Sequence, residues 1–140
     1  MSINTLPNNP VILTEVKNNI VLTSVAGTAP VVQTGNYTIT ATDLALGVVI
    51  FGANGNLTYP LGTTLETYVN SLQGVLVQNG LMISLEVITG KNAVATLVAN
   101  TGTADATNLT LATGVIGSAT SVASATLIFY RTGANTYVVY

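Results

Sequence analysis

The sequence contains no histidine, no cysteine and no tryptophan, and only three Lys+Arg and five Asp+Glu among its 140 residues. Each shortage removes a class of chemistry. Without His and Cys there is no zinc site of the usual kind, no Ser-His-Asp or Cys-His nucleophile, no His or Cys ligation of haem and no thiol redox chemistry. A Cys-free chain is also indifferent to the redox state of its compartment. With Lys17, Lys91 and Arg131 as its whole basic complement, it cannot neutralise a run of phosphates, the source of non-specific nucleic-acid affinity, so nucleic acid is not an expected partner. Long apolar runs are missing as well. Stretches such as VVIF at Val48 to Phe51 and LIFY at Leu127 to Tyr130 are strand-sized, far from the roughly 18 residues of a spanning helix, and no membrane association is expected. The opening MSINTLPNNPVILTEVKNN has no basic stretch followed by an apolar one, so no secretion signal is read there.

What is present is apolar: 49% of residues are hydrophobic and 6% charged, against about 25% charged in an ordinary soluble domain. The mean hydropathy is +0.59. A chain of this length makes one domain and buries roughly two thirds of its unfolded surface. Its polar surface must come from Thr, Asn, Ser and Gln, and the apolar excess is expected to be covered by other chains.

Residues 1–36 read as an N-terminal arm or attachment segment, and residues 37–140 as one β-domain. Pro7 and Pro10 keep the opening out of helix and sheet. Behind them VILTEV and IVLTSV alternate as strands around Lys17, Asn18 and Asn19, whose asparagines suit a turn. From Tyr37 short strands recur at intervals of about 8 to 12 residues, the pattern of an all-β antiparallel sandwich. In NYTITATD, Tyr37, Ile39 and Ala41 alternate with threonines as a half-buried strand. GVVIFG reads as a strand buried on both faces and NLTYPLG as a short one stopped by Pro60. Further strands are expected at 81–88, 93–100, 107–113, 124–132 and 135–140, the last two joined by the hairpin loop TGAN. One segment departs from this rhythm. Leu65, Tyr68, Val69 and Leu72 share one helix face, Thr63 and Glu66 match a capping box, and Gly74 suits a C-terminal stop, so one short helix is expected at about 63–73. The stretches NTGTADATN and ATGVIGSATSVASAT read as loops or places of close approach. No repeat of fixed period is visible, so a solenoid or propeller is not expected.

No catalytic, cofactor or metal-binding residues emerge, and an enzyme is not expected. Glu15, Asp43, Glu66, Glu86 and Asp105 fall on separate elements, whereas hydrolysis by paired carboxylates needs two at a defined separation. Glu86 shares its strand face with Met82 and Ser84, which makes it a rim or solvent-facing acid partnered by Arg131 or Lys91, the alternative being a perturbed catalytic acid. FGANGNL lacks the features of a phosphate loop, and no calcium-binding loop is present. The sequons at Asn36, Asn56 and Asn108 are what a Thr- and Asn-rich chain contains by chance. Tyr130, Tyr137 and Tyr140 cluster in the C-terminal hairpin, as cross-strand packing or an intersubunit seam, with a glycan-facing groove as the alternative.

The series YTITATDLALGVVIFG, LTYPLGTTLETYVNSL, GLMISLEVITG and the ending ATLIFYRTGANTYVVY resembles a family of small trimeric β-rich, jelly-roll-like virion surface or minor capsid proteins of large double-stranded DNA viruses and tailed phages. Tyr130 stands where a Lys or Arg is frequent in that family, and Thr89 where Asn is. The resemblance implies a structural virion protein, a decoration, cement or cap protein without an active site. Its partners would be itself, as a homotrimer, and the major capsid protein or another capsid subunit. It would be made in the host cytoplasm and located on the outer capsid surface. A receptor- or glycan-binding fibre head is the alternative. The arm would add strands to a neighbour, with Val11, Leu13, Ile20 and Leu22 as pocket fillers, unless its strands complete the chain's own β-domain.

Overall fold

The computed structural model describes residues 29–100, 109–110, 114–118 and 120–140. In chain order the elements are β1 (Val32–Gln33), β2 (Tyr37–Thr38), α1 (Ala41–Leu46), β3 (Val48–Phe51), β4 (Gly55–Thr58), α2 (Gly62–Asn70), β5 (Met82–Thr89), β6 (Ala93–Val98), β7 (Leu109–Thr110), β8 (Gly114–Ser118), β9 (Ala123–Gly133) and β10 (Thr136–Val139). They form a six-stranded sheet in the order β1-β3-β5-β9-β10-β7 and a four-stranded sheet in the order β2-β4-β6-β8.

The first six strands alternate between the sheets. β1, β3 and β5 lie side by side and parallel in one, and β2, β4 and β6 side by side and parallel in the other. The chain therefore winds through three β-turn-β units, returning from the smaller sheet to the larger through residues 39–47, which hold α1, and 59–81, which hold α2. A strand that leaves its sheet and comes back enters in the same direction, which is why the pairing is parallel. The rest of the chain closes the sheets with antiparallel pairs: β8 on β6, β9 on β5, and the β9/β10 hairpin. β7 runs parallel to β10.

The β-rich expectation holds, but antiparallel pairing throughout does not, because both sheets are mixed. The stacked units are consistent with a sequence that shows no repeat of fixed period. Val32, Ile50 and Ile88 are neighbours across three strands, yet their spacing in the chain more than doubles from one unit to the next, so no fixed period marks it.

Local departures have identifiable causes. The alternation in NYTITATD yields a strand only at Tyr37–Thr38. Thr40 then caps α1: its hydroxyl accepts from the Asp43 amide, and the Asp43 carboxylate accepts from the Thr40 amide. This reciprocal cap overrides the alternation, and Gly47, in the left-handed conformation at φ 76°, ends the helix. The second helix starts one residue before Thr63, which places that hydroxyl inside the first turn. Leu61 is the N-cap, without a side-chain bond. GVIGS at 114–118, inside a stretch read as loop, is a strand. Of the segment expected at 107–113, only Leu109–Thr110 falls among the described residues.

Both sheets and both helices share one core. Phe51, Leu85, Val87 and Phe129 from the larger sheet meet Leu57, Ala95 and Ile116 from the smaller, with Leu44, Leu65 and Val69 from the helices. Tyr59 packs edge-on against Phe129 at 6.0 Å between ring centroids. Successive turns approach closely: a Cβ on Gly55 would run into the backbone carbonyl of Gly35, whereas one on Gly35 would meet open space. Gly55→Ala should therefore destabilise the protein by about 1–3 kcal/mol through overpacking, and Gly35→Ala by less than about 1 kcal/mol. Urea unfolding of the two variants measures the difference.

Candidate functional site

Two arrangements of side chains stand out from the packing: a buried polar cluster at one end of the core, and the outward face of the six-stranded sheet.

The cluster forms because β9 points every second residue inward. Leu127, Phe129 and Arg131 lie on the same face and all three are buried, so the guanidinium enters the interior and needs an acid there. Glu66 of α2 supplies it. Arg131 donates from Nε to Glu66 Oε2 at 2.8 Å and from Nη2 to Oε1 at 2.6 Å, and its Nη1 donates to Asn79 Oδ1 at 3.0 Å. The Tyr137 hydroxyl donates to Glu66 Oε2 at 2.7 Å. The guanidinium hydrogen bonds are the main cause that holds the Glu66 carboxyl down at about 2, against the opposing effect of burial, and the tyrosine bond adds to them. Burial first, then the bond to Glu66, pushes the Tyr137 hydroxyl well above its ordinary value. An ionised acid has no proton to give, and three side-chain donors already occupy its two oxygens. The cluster ties α2 to the hairpin.

The outward face of the larger sheet is apolar. Register places Val48, Glu86 and Thr126 in one row, Val32, Ile50, Ile88 and Ser124 in a second, and Met82, Tyr130 and Val138 in a third. Ile128 stands beside Ser84 and exchanges backbone hydrogen bonds with Tyr140. Met82 and Tyr140 are 61% and 66% exposed. Glu86 is the one acidic or basic residue in these rows, and it accepts from the Thr126 hydroxyl at 3.1 Å. Glu86 is half-buried on β5, an inner strand, between Val48 and Thr126, and Arg131, one of its two expected partners, faces inward to Glu66 instead.

The outward face of the smaller sheet is mixed, with polar side chains beside Val94 and the exposed Val115. Asn54, Gly55, Asn56, Val94 and Thr96 line an open trough of about 440 Å³. A second hollow, of about 270 Å³, lies between α2 and β5 and is lined by mostly apolar residues that include Tyr68, Leu72 and Ile83. Among the described residues no group of three or more Asp or Glu gathers in a way that could hold a metal ion.

The three expected tyrosines separate. Tyr137 is fully buried in the polar cluster, Tyr130 is half-buried on the outward face, and Tyr140 is exposed at its margin. Val11, Leu13, Ile20 and Leu22 lie outside the described residues. The Glu66–Arg131 pair was open to sequence reasoning: the lone arginine shares its strand phase with Leu127 and Phe129, and a buried cation demands an acid. Glu66 was assigned to a cap instead. No family model, no curated protein and no solved structure matches the chain.

The Glu66 carboxyl titrates below its ordinary value of 4.5 in the folded protein. It thus contributes stability that is complete above about pH 4.5 and is lost as the pH falls towards 2. Glu66→Gln should cost on the order of 3 kcal/mol at neutral pH, the scale of breaking a largely buried pair, and should flatten the acid limb. Thermal melts of both proteins from pH 7 to pH 2 report both effects.

Proposed function

We propose that the chain is a non-enzymatic structural protein of a virus particle. It is a minor capsid or decoration protein that self-associates, as a homotrimer, and seats on the major capsid protein or another subunit at the outer surface. In this reading the two sheets are the layers of a jelly-roll-like sandwich whose first half is wound in parallel.

The observation that carries the proposal is the outward face of the six-stranded sheet. Its central strands β3, β5, β9 and β10, four to eleven residues long and spaced at about 4.8 Å, span a face on the order of 400 Å² whose side chains are mostly apolar, a size comparable with the largest apolar patches that monomeric proteins leave in water. With Glu86 as the one acidic or basic residue in its rows, that face is poorly suited to water and well suited to another uncharged β surface. Such a patch forms the apolar centre of an interface that buries about 800 Å² per partner. The composition of the chain, with 6% charged residues, supports the same reading, as does the resemblance of residues 37–140 to small virion proteins. The polar trough along Asn54, Asn56 and Thr96 favours a second reading, a glycan-binding fibre head, because uncharged amides and hydroxyls suit sugar hydroxyls. Binding on a glycan array that is lost in Asn56→Ala would favour it over a purely structural role.

The proposal is tested at Ile128, in the middle of the apolar rows. Sedimentation of the natural chain at micromolar concentration should give three times the monomer mass. Ile128→Glu should give the monomer mass with an unchanged circular dichroism spectrum. A natural chain that sediments as a monomer would remove the proposal. Labelling of intact particles with an antibody to this chain tests the location.

A further inference from the structure

Among the described residues, the three parallel units end at an unpaired edge. β1 is the outermost strand of the larger sheet and β2 of the smaller, both on the same side of the stack. Edges of this kind are ordinarily blunted by charge or by covering structure. Residues 29–38 carry no charged side chain, and Val31 and Val32 are 71% and 50% exposed.

The units share a feature that continues into the preceding sequence. β1 and β2 are joined by Thr34-Gly35-Asn36, β3 and β4 by Gly52-Ala53-Asn54, and β5 and β6 by Gly90-Lys91-Asn92: three residues each time, the last an asparagine. Two of these asparagines fasten their unit to the next. Asn36 Oδ1 accepts the amide of Asn56 at 2.9 Å, and Asn54 Oδ1 accepts the amide of Val94 at 3.0 Å. Asn56 and Val94 are each the second residue of the strand that follows the turn, β4 and β6. The second residue of β2 is Thr38. Because the Ile39 amide donates to Thr58 of β4, and amides alternate in direction along a strand, the Thr38 amide points towards the open edge. It has the position that the Asn56 and Val94 amides have one and two units further on.

Upstream, the sequence reads Val11-Ile12-Leu13-Thr14-Glu15-Val16, then Lys17-Asn18-Asn19, then Ile20-Val21-Leu22-Thr23-Ser24-Val25. It consists of two strand-like runs around three residues that end in asparagine. We propose that the open edge of β1 and β2 is the docking site of residues 11–25 of the same chain, which add a fourth β-turn-β unit in parallel, with Asn19 Oδ1 accepting the Thr38 amide. Val16 then takes the place held by Phe51 and Thr89 in the later units, and Ile20 and Leu22 extend the core. The link to β1 is residues 26–31. Six residues reach about 20 Å, enough to cross the roughly 10 Å between facing sheets, and so short a tether gives the segment a high local concentration at its own edge. The inference goes beyond the virion reading and holds independently of it. It assigns residues 11–25 to the chain's own fold and leaves residues 1–10, with Pro7 and Pro10, as the arm.

Amide hydrogen exchange of the full chain, followed residue by residue by NMR, tests it. The Thr38 amide and the alternating amides of 11–25 should exchange at least about a hundredfold more slowly than a free chain. Asn19→Ala should speed Thr38 by about tenfold or more while Val87, in the core, is unchanged, as Asn36→Ala should do for Asn56. Free-chain exchange at Thr38 in the natural protein, or no response of Thr38 to Asn19→Ala, would overturn the docking. A sample mixed from isotope-labelled and unlabelled chains distinguishes the source of the unit: proximity of residue 19 to residue 38 within one chain is expected, and proximity found only between chains would overturn the same-chain assignment.

Discussion

The structure depends on one constraint, that the chain crosses from one sheet to the other after every strand of its first half. Each crossing commits two short strands at once, one per sheet, and neither can bury its apolar side without the other. Val49 and Phe51 of β3 need Leu57 of β4 opposite them, and Leu85 and Val87 of β5 need Ala95 of β6. The helices follow from the same constraint. A return from the smaller sheet to the larger must span the core at its end, and α1 and α2 do so while placing Leu44, Leu65 and Val69 against it. The antiparallel β9/β10 hairpin then seals the larger sheet and brings Arg131 over Glu66.

With so few charges, where each one sits is informative. Asp43 is used up by its own helix and by Tyr37, whose hydroxyl donates to it at 2.8 Å, while Glu66 and Arg131 neutralise each other in the interior. Of the acids in the two sheets, Glu86 alone reaches an outward face. The two outward faces also differ. On the smaller sheet the outward positions mix Asn56 and Thr96 with Val94 and Val115, and the asparagines that fasten one unit to the next, Asn36 and Asn54, stand in the turns at its margin. On the larger sheet the outward positions are mostly Val, Ile, Met and Tyr, with Ser84, Glu86, Ser124 and Thr126 among them.

Much of the secondary structure was legible, and the topology was not. β5, β9 and β10 alternate so regularly that their phase and even their buried residues follow from the pattern, and GVVIFG was apolar on both phases because Val49 and Phe51 fill the core while Val48 and Ile50 line the outward face. The apolar stripe of α2 was equally plain. Parallel pairing escaped because no residue type signals strand direction, and the unequal returns erased the periodicity that would have marked stacked units. The first helix was obscured by threonines that mimic strand alternation, although Thr40 and Asp43 have capping-box spacing. The strand at 114–118 was hidden by its two glycines. For the outward face, composition said that apolar surface must lie somewhere; only the register of β3, β5, β9 and β10 says where.

The stack is also tapered. β1, β3 and β5 have two, four and eight residues, and β2, β4 and β6 have two, four and six. Among the described residues, backbone pairing therefore thickens from β1 and β2 to β5 and β6, where the hairpin locks it. Under a pull the two ends are not equivalent. Tension applied from the N-terminal side peels the units one at a time against rising resistance, like a wedge split from its thin edge. Tension applied at Tyr140 loads the long β9 ladder along its length, where many bonds must shear together. A protein held at its C-terminal side would stand as a rigid block, and one held at its N-terminal side would yield in steps.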